Sequence, residues 1–133
     1  MDRAFMIPLD PVPAARPRLS RYGAYYPKRY RTFLADATAM VVELCEQEGW
    51  QPMVGPLEVW IDILGTRPKK TKFTSPNGDV DNFVKGLLDC CNGSMWNDDS
   101  QIVELHATKA WHEPGDEGFA LIQVGIKENS CPK

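Results

Sequence analysis

Apolar residues recur along the chain with two different periods, and each period predicts one kind of secondary structure. Strict alternation of apolar and polar residues indicates a strand with one buried face. The segments that alternate in this way are 3–9, 57–64, 101–112 and 119–126. Apolar spacings of three and four residues indicate helices. One such helix begins between Pro27 and Thr32 and ends at about Glu48, and another spans about residues 79–91.

Turn-forming residues separate these elements and define the predicted order. Gly49 ends the first helix, and Asn92 with Gly93 ends the second. An early segment is kept extended and irregular by four prolines: Pro8, Pro11, Pro13 and Pro17. The polar segment 65–78 predicts a loop that is mobile without a ligand. The predicted order is β-α-β-α-β-β, an α+β (mixed α/β) fold in which helices pack against a mixed sheet.

Composition limits the kind of protein that this chain can be. A chain of 133 residues with 43% hydrophobic residues predicts a single domain over 1–133, with 127–133 as a loose tail. A domain of this size often gains burial by forming a homodimer. No apolar run is long enough to span a membrane, and no signal pattern is present, so we expect no membrane partner. The cysteines match no zinc template and are expected to be free thiols in a reducing cytoplasm: Cys45, Cys90, Cys91 and Cys131.

The distribution of charge favours a nucleic-acid partner, although the net charge of −3 argues against one. Ten of the fifteen Lys and Arg residues lie in two short segments: Arg16, Arg18, Arg21, Lys28, Arg29 and Arg31, then Arg67, Lys69, Lys70 and Lys72. The first segment contains no acid and holds all four tyrosines. Local potential governs association with a polyanion, so we expect both segments to bind backbone phosphates.

A dense group of acids lies on the second predicted helix and just after it. Asp81, Lys85 and Asp89 follow one another at i, i+4 spacing. Asp79 precedes them, and the pair Asp98-Asp99 follows the helix after a short connection. Clustered carboxylates repel one another unless a cation lies between them, and carboxylate oxygens are ligands of Mg²⁺.

Each of these residues also has an ordinary structural interpretation. Asp79 and Asp81 suit a helix cap, and Lys85 suits a solvated i, i+4 pair that contributes about 0.3–0.5 kcal/mol. Together they supply what metal-assisted phosphodiester hydrolysis requires: carboxylates for the metal and a lysine to offset charge on the phosphate. Asp89 and Asp98 are available as further ligands or supporting groups.

The order of these residues closely resembles the RusA family of Holliday junction resolvases. The resemblance lies in Asp79-x-Asp81-Asn82-x-x-Lys85-x-x-x-Asp89 followed by Asp98-Asp99-x-Gln101-Ile102, and in the basic segments. It implies a RusA-like, homodimeric endonuclease that depends on Mg²⁺, for which Mn²⁺ can substitute. Its implied substrate is the four-way DNA junction in recombination and repair. It also implies a cytoplasmic protein of a bacterium or of a phage-infected cell.

The resemblance also implies roles for individual residues. Asp79, Asp81 and Asp99 match the catalytic acids that bind metal, and Lys85 matches the essential lysine. Asp98 matches the neighbouring acid of the pair and is also expected near the metal. Supporting contacts are expected from two further residues: Asn82 and Asp89, the latter holding Lys85 instead of metal.

Two other functions stay open on sequence alone. One is a nuclease that acts on forks, flaps or other branched DNA. The other is a non-catalytic DNA-binding dimer whose acids are structural. Loss of a matched acid or of Lys85 would favour this second function, and none of these residues is lost. The tyrosines Tyr25 and Tyr26 could stack on exposed bases or pack against the protein, and we expect packing for about half of the four tyrosines.

Overall fold

The computed structural model describes residues 2–127. Within that range, six strands and two helices occur in the following order: β1 (Arg3–Ile7), β2 (Arg18–Ser20), β3 (Gly23–Tyr25), α1 (Lys28–Glu48), β4 (Leu57–Gly65), α2 (Val80–Cys91), β5 (Ile102–Trp111) and β6 (Phe119–Ile126). A short 3-10 turn, Asp99–Gln101, precedes β5. The predicted α+β class is confirmed, and the predicted loose tail beyond residue 127 lies outside the described residues.

One local feature differs from the sequence prediction. The strands β2 and β3 form a two-stranded ribbon, Arg18 pairing with Tyr25, just after the proline-rich segment, where no strand was predicted. The prolines end at Pro17, and the ribbon turn after them is closed by Ser20, whose hydroxyl donates to the carbonyl of Gly23 at 3.1 Å. Gly23 has a φ of 116°, a backbone conformation that glycine adopts without steric cost. The first strand also ends at Ile7, two residues earlier than predicted.

The main sheet has the strand order β1-β6-β4-β5. β4 and β5 are parallel, whereas β6 pairs antiparallel with both β4 and β1. Parallel neighbours need a crossover connection, and α2 provides it, so α2 runs opposite in direction to β4 and β5. β5 is the last strand of the sheet, and its outer edge pairs with no other strand of the described chain.

Both helices bury their apolar sides against one face of the sheet. α1 contributes Tyr30, Phe33, Ala37, Val41 and Cys45, at helical spacing. The strands contribute alternating residues, as in β4, where Leu57, Val59, Ile61 and Ile63 are buried. Gly49, with a φ of 69°, ends α1 as predicted. None of the helices between residues 2 and 127 is long and apolar enough to cross a membrane.

The cysteines of the described chain are buried free thiols, as the sequence predicted. Cys45, Cys90 and Cys91 form no disulfide, and Cys131 lies outside the described residues. Burial raises the pKa of Cys90 to about 11 and raises the pKa of Cys91 as well. These thiols therefore stay protonated at neutral pH and act as core residues.

Candidate functional site

A groove between α2 and the edge strand β5 brings together three of the predicted catalytic residues. Its volume is about 370 Å³. Asp81, Lys85 and Asp99 lie on its lining, and the other lining residues are apolar: Val80, Val84, Leu88, Leu105 and Ala107. The groove thus combines two carboxylates and one ammonium group with an apolar floor.

The sequence of α2 places these side chains on the groove because the helix presents three different sides. Its core side contains Phe83 and Leu87, both almost fully buried. Asp81 and Lys85 share the groove side through their i, i+4 spacing. The third side faces the N-terminal segment, where the amide of Ala14 donates to the carbonyl of Asn82 at 2.8 Å.

Lys85 is held by a hydrogen-bonded series that reaches into the core. Its ammonium group lies 3.4 Å from one carboxylate oxygen of Asp89, and the hydroxyl of Tyr30 donates to the other oxygen at 3.2 Å. Burial, followed by the charge of Asp89, raises the pKa of Tyr30 above its usual range, so the hydroxyl remains a donor. Asp89 contacts Lys85 as predicted, whereas sequence reasoning did not single out Tyr30.

The start of α2 is positioned by a part-buried contact from β5. Asp79 is the N-cap of α2, yet its side chain makes no capping hydrogen bond. Just before it, the ammonium group of Lys109 donates to the carbonyls of Pro76 and Gly78. Gly78 has a φ of 126°, and a Cβ there would lie 3.1 Å from Phe83. Lys109 was missed, although a charge among the apolar residues of one predicted strand face was its signal.

The return turn after α2 is fixed by a buried tryptophan. Trp96 is fully buried, and its indole nitrogen donates to the side chain of Asn92 at 2.8 Å. The amide of Gly93 donates to the carbonyl of Trp96 at 2.7 Å. The short connection that the sequence predicted between α2 and Asp98 is therefore a closed turn, which delivers Asp99 to the groove.

Gln101 secures the acidic turn to the segment that precedes β4. Its side-chain oxygen accepts from the amides of Asn97 at 2.9 Å and Asp98 at 3.0 Å. Its side-chain nitrogen donates to the carbonyls of Met53 at 2.9 Å and Gly55 at 3.1 Å. All four hydrogen bonds are made with backbone groups, so the Gln101 side chain fixes the position of the turn. The Asp-x-x-Gln spacing of a capping box was the sequence signal for it.

Asp98 has a structural contact of its own. Its carboxylate accepts from the amide of Ser100 at 3.1 Å and completes the capping box with Gln101. Hydrogen bonds from Ser100 lower the pKa of Asp98. Asp98 is not part of the groove lining, so the two neighbouring acids differ: Asp99 faces the groove and Asp98 caps the turn.

The carboxylates have the oxygen ligands that a divalent metal prefers, but in the described chain they are not grouped around a single point in space. Asp79 and Asp81 begin α2, close to Lys109 near the far end of β5, whereas Asp99 precedes the first residue of β5. The two groups of acids therefore lie toward opposite ends of the groove. Among residues 2–127, no group of three or more His, Cys, Asp or Glu residues is placed to hold a metal ion.

The ten predicted DNA-binding residues are all exposed. They belong to three structural units: the ribbon and its approach (Arg16, Arg18, Arg21), the start of α1 (Lys28, Arg29, Arg31) and the loop after β4 (Arg67, Lys69, Lys70, Lys72). None of them takes part in the ion pairs formed within the described chain. Of the tyrosines beside them, Tyr30 is buried and Tyr22 is 90% exposed.

Comparison with known proteins places the chain in a family. The sequence model of the family described as Endodeoxyribonuclease RusA matches residues 8–117. The chain therefore belongs to the RusA endodeoxyribonuclease family, which confirms the resemblance seen in its motif. It is also similar to "Uncharacterized protein YqaN" of Bacillus subtilis (strain 168), with 49% identity over 93 residues. That match covers 59% of this chain and 62% of the relative.

Proposed function

We propose that the protein is a Mg²⁺-dependent endonuclease that resolves four-way DNA junctions by paired, symmetric phosphodiester hydrolysis. The observation that carries this proposal is the groove that Asp81, Lys85 and Asp99 share. Membership of the RusA endodeoxyribonuclease family supports it, and so do the ten exposed basic residues, which form no ion pair within residues 2–127. The proposed biological setting is DNA recombination and repair in the cytoplasm of a bacterium or a phage-infected cell.

The proposed metal ligands are Asp79, Asp81 and Asp99. All three offer carboxylate oxygens, which Mg²⁺ prefers, and no ion pair within residues 2–127 neutralises them. When bound, Mg²⁺ would activate water and neutralise charge on the phosphate. Mn²⁺, with the same preference for oxygen ligands, is expected to substitute.

Lys85 is proposed to orient the scissile phosphate and offset its developing charge. Its side chain is 64% exposed, so its ammonium group can reach a bound backbone. Asp89 limits the positions of that group, and Tyr30 limits those of Asp89. A positioned lysine costs less reorganisation during the reaction than one that moves freely in solvent.

The exposed cations are proposed to bind the DNA backbone beside the start of α2, where Arg29 of α1 and Pro68 of the loop after β4 line one pocket. Arg16 precedes a ribbon whose other end leads into α1, and the amide of Ala14 binds α2 directly. The loop after β4 leads into Asp79 from the other direction. Because phosphate contacts release counterions, we expect binding to weaken steeply as salt increases.

The proposal is tested by mapping cleavage on a synthetic mobile four-way junction, with a fork and a linear duplex of the same sequence as comparisons. We expect paired nicks at symmetric positions on the junction with Mg²⁺ or Mn²⁺, and none with EDTA. Faster cleavage of the fork would assign the enzyme to other branched DNA. Absence of cleavage on every substrate, with junction binding retained, would indicate that the protein binds DNA and is not a nuclease.

A further inference from the structure

We propose that Phe73 determines the preference for branched DNA by stacking on a base that is uncovered at the branch point. This inference rests on the proposed nuclease function and adds how its substrate is selected. It follows from the exposure of the ring, from the contacts that hold its backbone and from the cations around it.

The first observation is an exposed aromatic ring in the loop after β4. Phe73 is 47% exposed, and it is the only aromatic residue between Gly65 and Asp79. A single exposed apolar side chain is common on protein surfaces and needs no explanation by itself. The meaning of this ring therefore depends on how it is held and on what surrounds it.

The second observation is that the backbone of Phe73 is fixed by contacts that do not use its ring. The amide of Phe73 donates to the hydroxyl of Thr71 at 3.1 Å. Its carbonyl accepts a hydrogen bond from the indole nitrogen of Trp111 at 3.0 Å. A side chain on a backbone that is already ordered loses less conformational entropy when a ligand binds to it. The exposed ring is thus a preorganised contact.

The strand that holds Phe73 also holds the start of α2. Lys109 donates to the carbonyl of Gly78, and it lies two residues before Trp111 on β5. Residues i and i+2 of a strand share a face and lie about 7 Å apart. Neighbouring side chains of one strand therefore position both Phe73 and the proposed metal ligand Asp79. The six-residue separation of these two limits their distance to about 20 Å, or about six base steps of DNA.

The surroundings of the ring favour DNA over a protein partner. The same loop carries four basic residues: Arg67, Lys69, Lys70 and Lys72. None of the four forms an ion pair within residues 2–127, and the ammonium group of Lys72 lies 5.8 Å from the centre of the Phe73 ring. A protein interface would need a contiguous apolar patch. One ring among four cations instead suits the bases and phosphates of DNA.

Stacking on a base has a different cost in the two kinds of DNA. In a continuous duplex both faces of each base pair are covered, so an inserted ring must first open a base step, which is unfavourable. At an open four-way branch point, the base pairs that end the arms already have one uncovered face. A ring that stacks there gains the contact without unstacking the duplex. Phe73 therefore stabilises the complex with a junction more than the complex with a duplex.

Binding measured in EDTA, on a four-way junction and on a linear duplex of the same sequence, tests the proposal. Phe73→Ala removes the ring and keeps both backbone contacts. We expect it to bind the junction about tenfold more weakly and the duplex within about twofold of the wild type. Phe73→Trp keeps an aromatic face and should bind the junction as the wild type does. Phe73→Leu keeps only apolar bulk and should lose at least about fivefold.

Two further variants separate stacking from other effects. Val54→Ala removes an exposed apolar side chain outside the loop and should change neither affinity. Lys72→Ala should weaken binding to both DNAs alike and reduce the slope of log affinity against log salt by about one. Phe73→Ala should leave that slope unchanged, because the ring carries no charge.

Several results would overturn the proposal. Equal losses of Phe73→Ala on the junction and the duplex would make the ring a general DNA contact. Unchanged affinity for both would exclude contact between the ring and DNA. A change of oligomeric state in Phe73→Ala, measured by light scattering, would place the ring in a protein interface. Equal affinity of the wild type for the two DNAs would leave no preference for Phe73 to determine.

The two proposals fail in distinguishable ways. If the wild type prefers the junction through Phe73 but cuts no DNA, the nuclease function is wrong and the role of Phe73 stands. If the wild type cuts junctions and Phe73→Ala keeps the full preference for the junction, the role of Phe73 is wrong and the nuclease function stands.

Discussion

The two acidic turns of the molecule use their first aspartate in different ways. Asp79 and Asp98 are both N-caps, and each has another acid within two residues. The carboxylate of Asp98 accepts a hydrogen bond from the amide of Ser100, whereas the carboxylate of Asp79 makes no capping hydrogen bond. A carboxylate that already caps its turn has a structural role, and one without a local partner is available for a ligand. Similar acidic pairs in a sequence can therefore serve different purposes.

The largest expected effect separates these two aspartates. Asp79→Asn should lower the rate of junction cleavage by about 10³-fold or more, since it removes a proposed metal ligand. Asp98→Asn should lower it by less than about tenfold, because the amide oxygen of Asn can still cap the turn. Single-turnover cleavage in Mg²⁺ measures both rates. Equal losses for the two variants would place Asp98 in the metal site as well.

The second-largest expected effect on cleavage comes from removing the hydrogen bond by which Tyr30 holds Asp89 against Lys85. Tyr30→Phe removes one hydroxyl, keeps the buried ring and leaves Asp89 free to rotate away from Lys85. We expect the single-turnover rate to fall by about tenfold or more while the dissociation constant for the junction stays unchanged. A purely structural role of Tyr30 would lower thermal stability without changing the rate of the folded enzyme. Thr32→Ala, an exposed position in the same helix, is the matched control.

A smaller effect, on folding stability, is expected when the hydrogen bonds that secure the turn before Asp99 are removed. Gln101→Ala removes the hydrogen bonds to Asn97, Asp98, Met53 and Gly55. Its free energy of unfolding should fall by about 1–3 kcal/mol, as measured by urea denaturation. Ser100→Ala, one residue earlier, keeps every one of these bonds and should change stability by less than about 0.5 kcal/mol. Equal stability of the two variants would mean that Gln101 does not secure the turn.

The smallest effect is a dependence of stability on pH. Hydrogen bonds from Ser100 hold the pKa of Asp98 below its usual range, and the hydrogen bond from Lys127 does the same for Glu104. A depressed pKa adds stability above the ordinary carboxyl pKa of about 4, and this gain is lost as the pH falls through the depressed value. The melting temperature of the wild type should therefore exceed that of Asp98→Asn at pH 6 and approach it near pH 2.5. A constant difference would remove Asp98 as the cause.

The order of helices and strands could be predicted from the sequence because periodic burial decides it. α2 illustrates this: the pattern selects Phe83, Val84, Leu87, Leu88 and Cys91, and all of them are buried except Leu88, which is half-buried. The ribbon β2–β3 could not be predicted, because its residues are exposed and show no burial pattern. Its turn depends instead on hydrogen bonds of Ser20.

The residues of the site could be predicted more completely than their arrangement. Asp81, Lys85 and Asp99 were identified by type and spacing, and they share one groove. Tyr30 and Lys109 were missed because their partners, Asp89 and the carbonyl of Gly78, are distant in sequence. The separation of Asp81 from Asp99 also depends on the direction of α2 relative to β5. Linear spacing contains no information about that direction.

The central claim is that the acids of the groove are required for cleavage of the DNA junction and not for binding to it. The most direct measurement compares Asp81→Asn with the wild type on one labelled four-way junction. Binding is measured in Ca²⁺ or EDTA and cleavage is measured in Mg²⁺. We predict that Asp81→Asn binds the junction within about threefold of the wild type and yields no detectable nicks. Cleavage by Asp81→Asn at the wild-type rate would contradict the assignment of the site.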